Sequence, residues 1–169
     1  LTAEFLTRFH YKATPLDDAM SEKIFDRYLK SLDADRVFFL QSDIDQFNTA
    51  RTKLDDAILG QDLTIPFAMF NLYQKRFKER LTYAGEVLNS EFDFSEKESY
   101  FYQREKAPWP KDEAAMRDLW RQRVKNDWLR LKLAGKEAEA IRTTLAKRYE
   151  TTLTRMNKLK SEDVFQLFM

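Results

Sequence analysis

The stretch from Asp112 to Ala134 constrains the fold more than any other part of the sequence, because its apolar residues recur at the spacing of one helix face. These apolar residues are Met116, Trp120, Val124, Trp128 and Leu131. Two of the three tryptophans of the chain lie on this stripe, so the helix is expected to bury it against other helices. A rigid turn at Ala107–Pro110, which contains two prolines, introduces the helix.

Composition extends the helical prediction to the whole chain. The 169 residues include only three Gly and four Pro, while Leu, Lys, Glu, Arg and Ala, all good helix formers, are abundant. A chain of this length generally forms one domain and buries roughly 70% of the surface that it exposes when unfolded. We therefore expect residues 1–169 to form a single all-α domain, an irregular bundle of about six to seven helices.

Caps and apolar periodicity place six further helices in the sequence. They are expected at about residues 1–11, 14–32, 42–60, 64–88, 138–158 and 161–169. Thr14, Ser42 and Ser161 are the expected N-caps, and Gly60 is expected just beyond the end of its helix, at the C′ position. Gly85 interrupts the pattern of the helix at 64–88, where it either permits a close helix contact or mildly destabilises the helix.

The acidic pair Asp33 and Asp35 raises the question of calcium binding. A calcium-binding loop that began at Asp33 would require Gly at the position of Phe38 and Glu at the position of Ile44. The sequence therefore predicts a tight connection instead, which inserts the apolar run Val37–Leu40 into the core.

Signatures of a catalytic site are absent from the sequence. Adjacent carboxylates at Asp17-Asp18 and Asp55-Asp56 would point about 100° apart on a helix, so they cannot form a dyad and are expected on solvated faces. His10 is the only histidine, and the lack of cysteine excludes disulfides, thiolate ligands and cysteine nucleophiles. We therefore expect no catalytic residue, no metal site and no cofactor in this chain.

Residues 92–110 lack helical periodicity but are rich in aromatic side chains. The aromatic residues are Phe92, Phe94, Tyr100, Phe101, Tyr102 and Trp109. Their spacing predicts an ordered connector that is held in place by aromatic packing and that has room for a short β-hairpin.

Charge is distributed unevenly along the chain although the net charge is only +1. The segment 117–160 contains 13 Lys or Arg and 5 Asp or Glu, which gives it a charge of +8 and leaves −7 for the remainder. Such a basic half suits an independent module that binds nucleic acid or an acidic protein, whereas solvated helix faces explain the same charges without a partner.

The sequence has no apolar run long enough to cross a membrane and does not open with a signal peptide. Its abrupt first and last residues suggest the edges of a longer chain.

Four long segments resemble the N-terminal helical region of the tail-specific, or C-terminal processing, proteases of the longer bacterial type. They are LDDAMSEKIFDRYLKSLDADRVFFLQSDIDQF at 16–47, KAPWPKDEAAMRDLW at 106–120, RVKNDWLRLKLAGK at 123–136 and SEDVFQLFM at 161–169. The resemblance implies a fragment of a periplasmic serine endopeptidase that degrades proteins with apolar C-termini. It also implies that a PDZ domain, a core with a Ser/Lys dyad and a C-terminal helical region lie outside this chain, so the chain itself is not expected to be catalytic.

In this family the helical regions form walls around the substrate cavity. The resemblance therefore implies a scaffold, a substrate vestibule and a candidate docking surface for a tetratricopeptide-repeat lipoprotein adaptor. The expected partners are the rest of the protease chain, that adaptor and protein substrates, and not nucleic acid. The candidate protein-contact residues are Phe94, Tyr100, Phe101, Phe165 and Phe168.

Overall fold

The computed structural model describes residues 15–168, and over this range the chain forms seven α-helices and no β-strand. The helices are α1 (Asp18–Asp33), α2 (Gln41–Asn48), α3 (Leu54–Leu59), α4 (Thr64–Val87), α5 (Glu113–Leu133), α6 (Ala138–Asn157) and α7 (Ser161–Phe168). The all-α prediction is confirmed. The helix predicted at 1–11, the cap at Thr14 and the single histidine, His10, lie outside the described residues.

Helices α4, α5 and α6 pack against one another and form the centre of the bundle. α7 packs on α1 and α4, and α3 packs on α1. The predicted stripe of α5 faces this core: Met116, Trp120, Val124 and Trp128 are buried, and Leu131 is half-buried. Over residues 15–168, no helix is both long enough and apolar enough to cross a membrane.

The first described helix begins later than the sequence suggested. Asp17 is its N-cap, and the carboxylate accepts a hydrogen bond of 2.9 Å from the backbone N–H of Met20. Pro15 therefore precedes the helix instead of occupying its first turn. A carboxylate is favoured at this end because the free N–H groups of the first turn carry partial positive charge.

The helix predicted at 42–60 is two helices, α2 and α3, separated by a turn. The buried hydroxyl of Ser21 donates a 2.8 Å hydrogen bond to the carbonyl of Arg51 and accepts one of 2.8 Å from the N–H of Leu54. This single side chain of α1 thus satisfies two backbone groups at the break. The sequence places Ile44 and Leu54 on one apolar stripe of the predicted helix, and both are buried in spite of the break.

Two of the predicted N-caps are displaced by one or two residues. Leu40, not Ser42, is the N-cap of α2, and its N–H donates to the carboxylate of Asp43 at 2.9 Å. Ser161 is the first residue of α7, and the N–H of the residue before it is bound by Asp163. In both helices an acidic residue in the first turn caps the backbone more strongly than a serine hydroxyl, because its charge strengthens the hydrogen bond.

Gly60 is the C-cap of α3, and the C′ position belongs to Gln61. Gln61 has a φ of +56°, and the next residue, Asp62, donates its N–H to the carbonyl of Ala57 at 2.8 Å. These are the features of a Schellman motif. Because α3 extends one residue further than predicted, the residue with the left-handed backbone is Gln61 and not Gly60.

The segment between α1 and α2 inserts the apolar run Val37–Leu40 into the core, as the sequence predicted. We call Val37–Leu40 the plug. Val37 and Phe39 are buried, and the ring of Phe38 stacks on Phe77 of α4 at a centroid distance of 4.8 Å. The carboxylate of Asp33, which is itself only 2% exposed, accepts hydrogen bonds from the three consecutive N–H groups of residues 37–39. Asp33 is therefore a ligand for backbone amides and not for a cation.

Burial raises the pKa of Asp33, and the three N–H groups that bind it oppose this shift. Two carbonyl groups of the plug are bound by side chains of other helices. Trp120 of α5 donates its indole N–H to the carbonyl of Val37 at 2.7 Å, and Arg80 of α4 donates to that of Phe38 at 3.4 Å. Side chains from three helices therefore replace the backbone pairing that this buried segment lacks.

The adjacent carboxylates are not all exposed to solvent, although exposure was predicted for all of them. Asp18 and Asp56 are exposed as expected, but Asp55 is buried in the first turn of α3, so its assignment to a solvated face was wrong. The free N–H groups at the start of a helix favour a negative charge, which offsets part of the cost of this burial.

Replacing Gly85 with Ala is expected to raise the free energy of unfolding by about 0.5–1 kcal/mol, because Gly is a poor helix former and a Cβ at this position meets no atom within 4 Å. The structure therefore favours the mild destabilisation over the close helix contact. Urea unfolding monitored by far-UV circular dichroism measures the change.

Gly135→Ala is the matched control, since a Cβ at this position also meets open space but the backbone has a φ of +82°. Gly135 is the C′ residue of α5, and we expect its replacement to destabilise the protein by about 1 kcal/mol. If the two substitutions had the same sign, backbone conformation would not be what distinguishes these glycines.

Candidate protein-contact surface

The connector between α4 and α5, residues 88–112, runs back along α5 towards the start of that helix. Its first anchors are two aromatic rings. Phe92 packs on Trp128 at a centroid distance of 5.4 Å, and the ring of Phe94 lies beneath the ammonium groups of Lys125 and Lys132, at 5.7 and 4.7 Å. The prediction of an ordered connector held by aromatics agrees with this arrangement, but the short hairpin within it was wrong, because residues 88–112 contain no strand.

Glu98 provides the next anchor. Its carboxylate forms ion pairs of 2.5 Å with Arg121 and with Lys125 on α5. Hydrogen bonds from Arg121 and then from Lys125 lower the pKa of Glu98 to about 2, so the carboxylate is ionised at neutral pH. The connector is thus held to α5 by charge as well as by aromatic packing.

The far end of the connector is attached to the plug region. The ring of Trp109 meets that of Phe39 at 6.3 Å, and the guanidinium of Arg36 lies 5.1 Å from the centre of the Trp109 ring. Arg36 also donates to the carbonyl of Ala107 at 2.7 Å, and the carbonyl of Pro110 accepts from the N–H of Gln41 at 2.9 Å. Both ends of the connector are therefore fixed to the bundle.

The middle of the connector exposes large aromatic side chains to solvent. Phe101 is 64% exposed and Tyr102 is 69% exposed. Beside them, Phe94, Tyr100 and Leu129 line a groove of about 140 Å³ between the connector and α5. We call Phe94, Tyr100, Phe101, Tyr102 and Leu129 the connector surface. Because aromatic residues that are rigidly held and exposed commonly mark protein contacts, this surface is the candidate functional site.

Three of the five predicted contact residues lie together in this surface: Phe94, Tyr100 and Phe101. The other two lie on α7. Phe165 is exposed, but Phe168 is buried and its ring meets that of Tyr28 edge-on at 5.3 Å, so it is a core residue in this domain.

Sequence reasoning left Tyr102 and Leu129 out of the candidate list. Tyr102 carries the same signal as its neighbour Phe101, namely an aromatic residue in a polar stretch without helical periodicity. Leu129 could have been found as the leucine that falls next to, and not on, the buried stripe of α5.

Many basic residues of α5 and α6 are engaged within the domain. Arg121 and Lys125 bind Glu98, and the guanidinium of Arg123 lies 5.0 Å from the centre of the Trp120 ring. Arg142 donates to the carbonyl of Leu88 at 3.0 Å. The positive charge of the segment therefore serves in part to hold the connector and to cover aromatic rings.

A second groove of about 620 Å³ is bordered by α4 and the first turns of α5. The residues that line it are Lys75, Arg76, Lys78, Glu79, Thr82, Tyr83, Glu86, Glu113 and Arg117. It contains no serine, cysteine or histidine, and within residues 15–168 no three acidic or histidine side chains cluster as metal ligands would. The groove is therefore not taken as the candidate site, because it lacks, among the described residues, both the serine and the metal-ligand cluster sought there.

Comparison with known proteins assigns the chain to a family. Residues 2–169 match the family model described as the tail-specific protease N-terminal domain. The chain is also 42% identical, over 165 residues, to a tail-specific protease from Haemophilus influenzae. The match covers 97% of this chain and 24% of that relative, so the chain spans about a quarter of the relative's length. The chain therefore belongs to the tail-specific protease family and corresponds to the family's N-terminal domain.

Proposed function

We propose that this domain is a non-catalytic wall and docking platform of a periplasmic serine endopeptidase that degrades proteins with apolar C-termini. The observation that carries the proposal is the connector surface: exposed aromatic side chains on a segment anchored at both ends. The Ser/Lys dyad of such an enzyme would lie outside this chain. The domain would contribute binding and orientation, and the remainder of the chain would contribute the chemistry.

Rigid anchoring matters for this role because a preformed surface loses little conformational entropy when a partner binds. The ion pairs of Glu98 and the packing of Trp109 fix the connector on either side of Phe101 and Tyr102, so the backbone that carries these side chains is held in place before any contact. Aromatic residues of this kind supply large contact areas with few rotatable bonds. A polypeptide tail or an adaptor with an apolar groove is the partner that fits such side chains.

The alternative, an independent module that binds nucleic acid or acidic protein, has weaker support. Arg121, Lys125 and Arg142, which it would need for phosphate contacts, are paired inside the domain. Exposed basic residues remain on α6, at Lys147, Arg148 and Arg155, but charged residues on an outer helix face need no partner to explain them.

The test is the double substitution Phe101→Ala with Tyr102→Ala in the full-length protease. We expect degradation of a protein substrate with an apolar tail to slow on the order of tenfold, because truncating a buried interface aromatic costs about 1 kcal/mol or more. Cleavage of a short peptide should be nearly unchanged, since the substitutions lie outside the catalytic part. Calorimetric titration with a tetratricopeptide-repeat lipoprotein adaptor then shows whether the lost contact is to the adaptor or to the substrate.

Leu59→Ala is the control, because Leu59 is a 59% exposed apolar residue on α3, outside the connector. It should leave both activities and adaptor binding at wild-type values. The proposal fails if the double variant degrades the protein substrate at the wild-type rate with and without adaptor. It also fails if Leu59→Ala reduces degradation to the same extent.

A further inference from the structure

The connector contains eight consecutive residues, Lys97–Arg104, that form no helix, turn or bend. Within this stretch the N–H groups of residues 99–103 make no hydrogen bond to any described residue. Apart from Tyr100, which is half-buried, these five residues are exposed. The carbonyl of Tyr102 accepts a hydrogen bond of 3.0 Å from the N–H of Arg104, but the five N–H donors of this solvated stretch are available to a partner.

The side chains of this stretch favour a β-strand. Tyr100, Phe101 and Tyr102 are of the aromatic type that is enriched in strands and depleted in solvated loops. An exposed, unpaired segment with strand propensity is a known hazard for aggregation, and proteins usually cover or interrupt it. This segment is neither covered nor interrupted within the described domain, since it is open to solvent and contains no proline or glycine.

We propose that the backbone of Ser99–Gln103 pairs with the edge of a β-sheet that belongs to the remainder of the same protease chain. This inference rests on the proposed function and adds the mode of contact. Residues 15–168 contain no strand that could be the partner, and about three quarters of the length of the Haemophilus influenzae relative lies outside the match. A strand from that remainder would satisfy the free backbone groups and cover Phe101 or Tyr102.

The anchors on either side make this pairing feasible. Glu98, immediately before the segment, is bound to α5, and Ala107, shortly after it, accepts a 2.7 Å hydrogen bond from the guanidinium of Arg36. Because both flanks are already attached to the bundle, the straight segment loses little entropy when it pairs. Strand addition then supplies several main-chain hydrogen bonds without requiring the helices to move.

Residue-resolved hydrogen exchange of the full-length protease tests the proposal. In a strand, successive N–H groups point to opposite edges, so pairing along one edge protects alternate residues. We expect exchange to slow by about a hundredfold or more at residues 99, 101 and 103, or else at 100 and 102, relative to the unstructured chain. Uniform fast exchange would overturn the proposal, and so would equal protection of all five amides, which indicates burial without strand pairing.

Two adjacent proline substitutions provide a matched pair. Tyr102→Pro and Gln103→Pro remove N–H groups that face opposite edges, and both residues are exposed. One of them is expected to abolish the alternating protection, while the other and both corresponding alanine variants retain it. Loss of protection in both proline variants, or in neither, would contradict pairing along one edge. The degradation assay of the double variant Phe101→Ala with Tyr102→Ala does not depend on this result. If strand pairing fails, that assay still tests the docking role separately.

Discussion

Replacing Asp33 with Ala should lower the free energy of unfolding by about 3–5 kcal/mol, one of the largest effects expected of a single substitution in this domain. The carboxylate accepts hydrogen bonds of 2.9–3.0 Å from the N–H groups of Val37, Phe38 and Phe39. Val37 and Phe39 are buried, so water cannot replace the lost acceptor. Each buried donor that is left without a partner costs about 1–3 kcal/mol.

Two further variants identify the cause of this loss. Asp33→Asn retains one acceptor oxygen but turns an NH₂ group towards backbone donors, so we expect it to be destabilising to an intermediate degree. Asp35→Ala removes a neighbouring carboxylate that is exposed, and should change stability by no more than about 0.5 kcal/mol. Urea unfolding followed by tryptophan fluorescence measures all three. Equal values for Asp33→Ala and Asp35→Ala would show that the plug does not depend on this carboxylate.

The long helices could be predicted because their signals are local. The helices α4, α5 and α6 are each 20 or more residues long with apolar residues at helical spacing, and their observed bounds lie close to the expected ones. The predictions that were wrong concern regions whose structure depends on contacts between residues distant in sequence. The hydroxyl of Ser21 divides the helix predicted at 42–60 by binding Arg51 and Leu54, which lie 30 and 33 residues away.

The same reason limits the prediction of the contact surface. Aromatic residues in a non-periodic stretch indicated the connector, but its path is set by the pairing of Glu98 with Arg121 and Lys125, 23 and 27 residues later. A sequence with many acidic and basic residues does not specify which of them pair. The burial of Phe168 likewise depends on Tyr28 at the opposite end of the chain, so an apolar terminal helix could not be divided into core and surface residues beforehand.

Trp120→Ala is the second substitution with a large expected effect, a loss of about 4 kcal/mol. Trp120 is 2% exposed, and its ring packs against that of Phe38 at a centroid distance of 5.8 Å. Removing the indole leaves a cavity in the centre of the bundle. It also leaves the buried carbonyl of Val37 without the donor that now lies 2.7 Å away.

Trp120→Phe separates the two contributions, because it keeps most of the ring volume while removing the N–H donor. We expect it to cost about 1–3 kcal/mol, the typical penalty for an unsatisfied buried polar group. Since Asp33 binds the N–H of Val37 and Trp120 binds the carbonyl of the same residue, their effects should not add. Once Asp33→Ala has released the plug, Trp120→Phe should cost less than it does alone, by roughly 0.5 kcal/mol or more. Strict additivity in a double-mutant cycle would mean that the two side chains stabilise the plug independently, and that it is not held as one unit between α1 and α5.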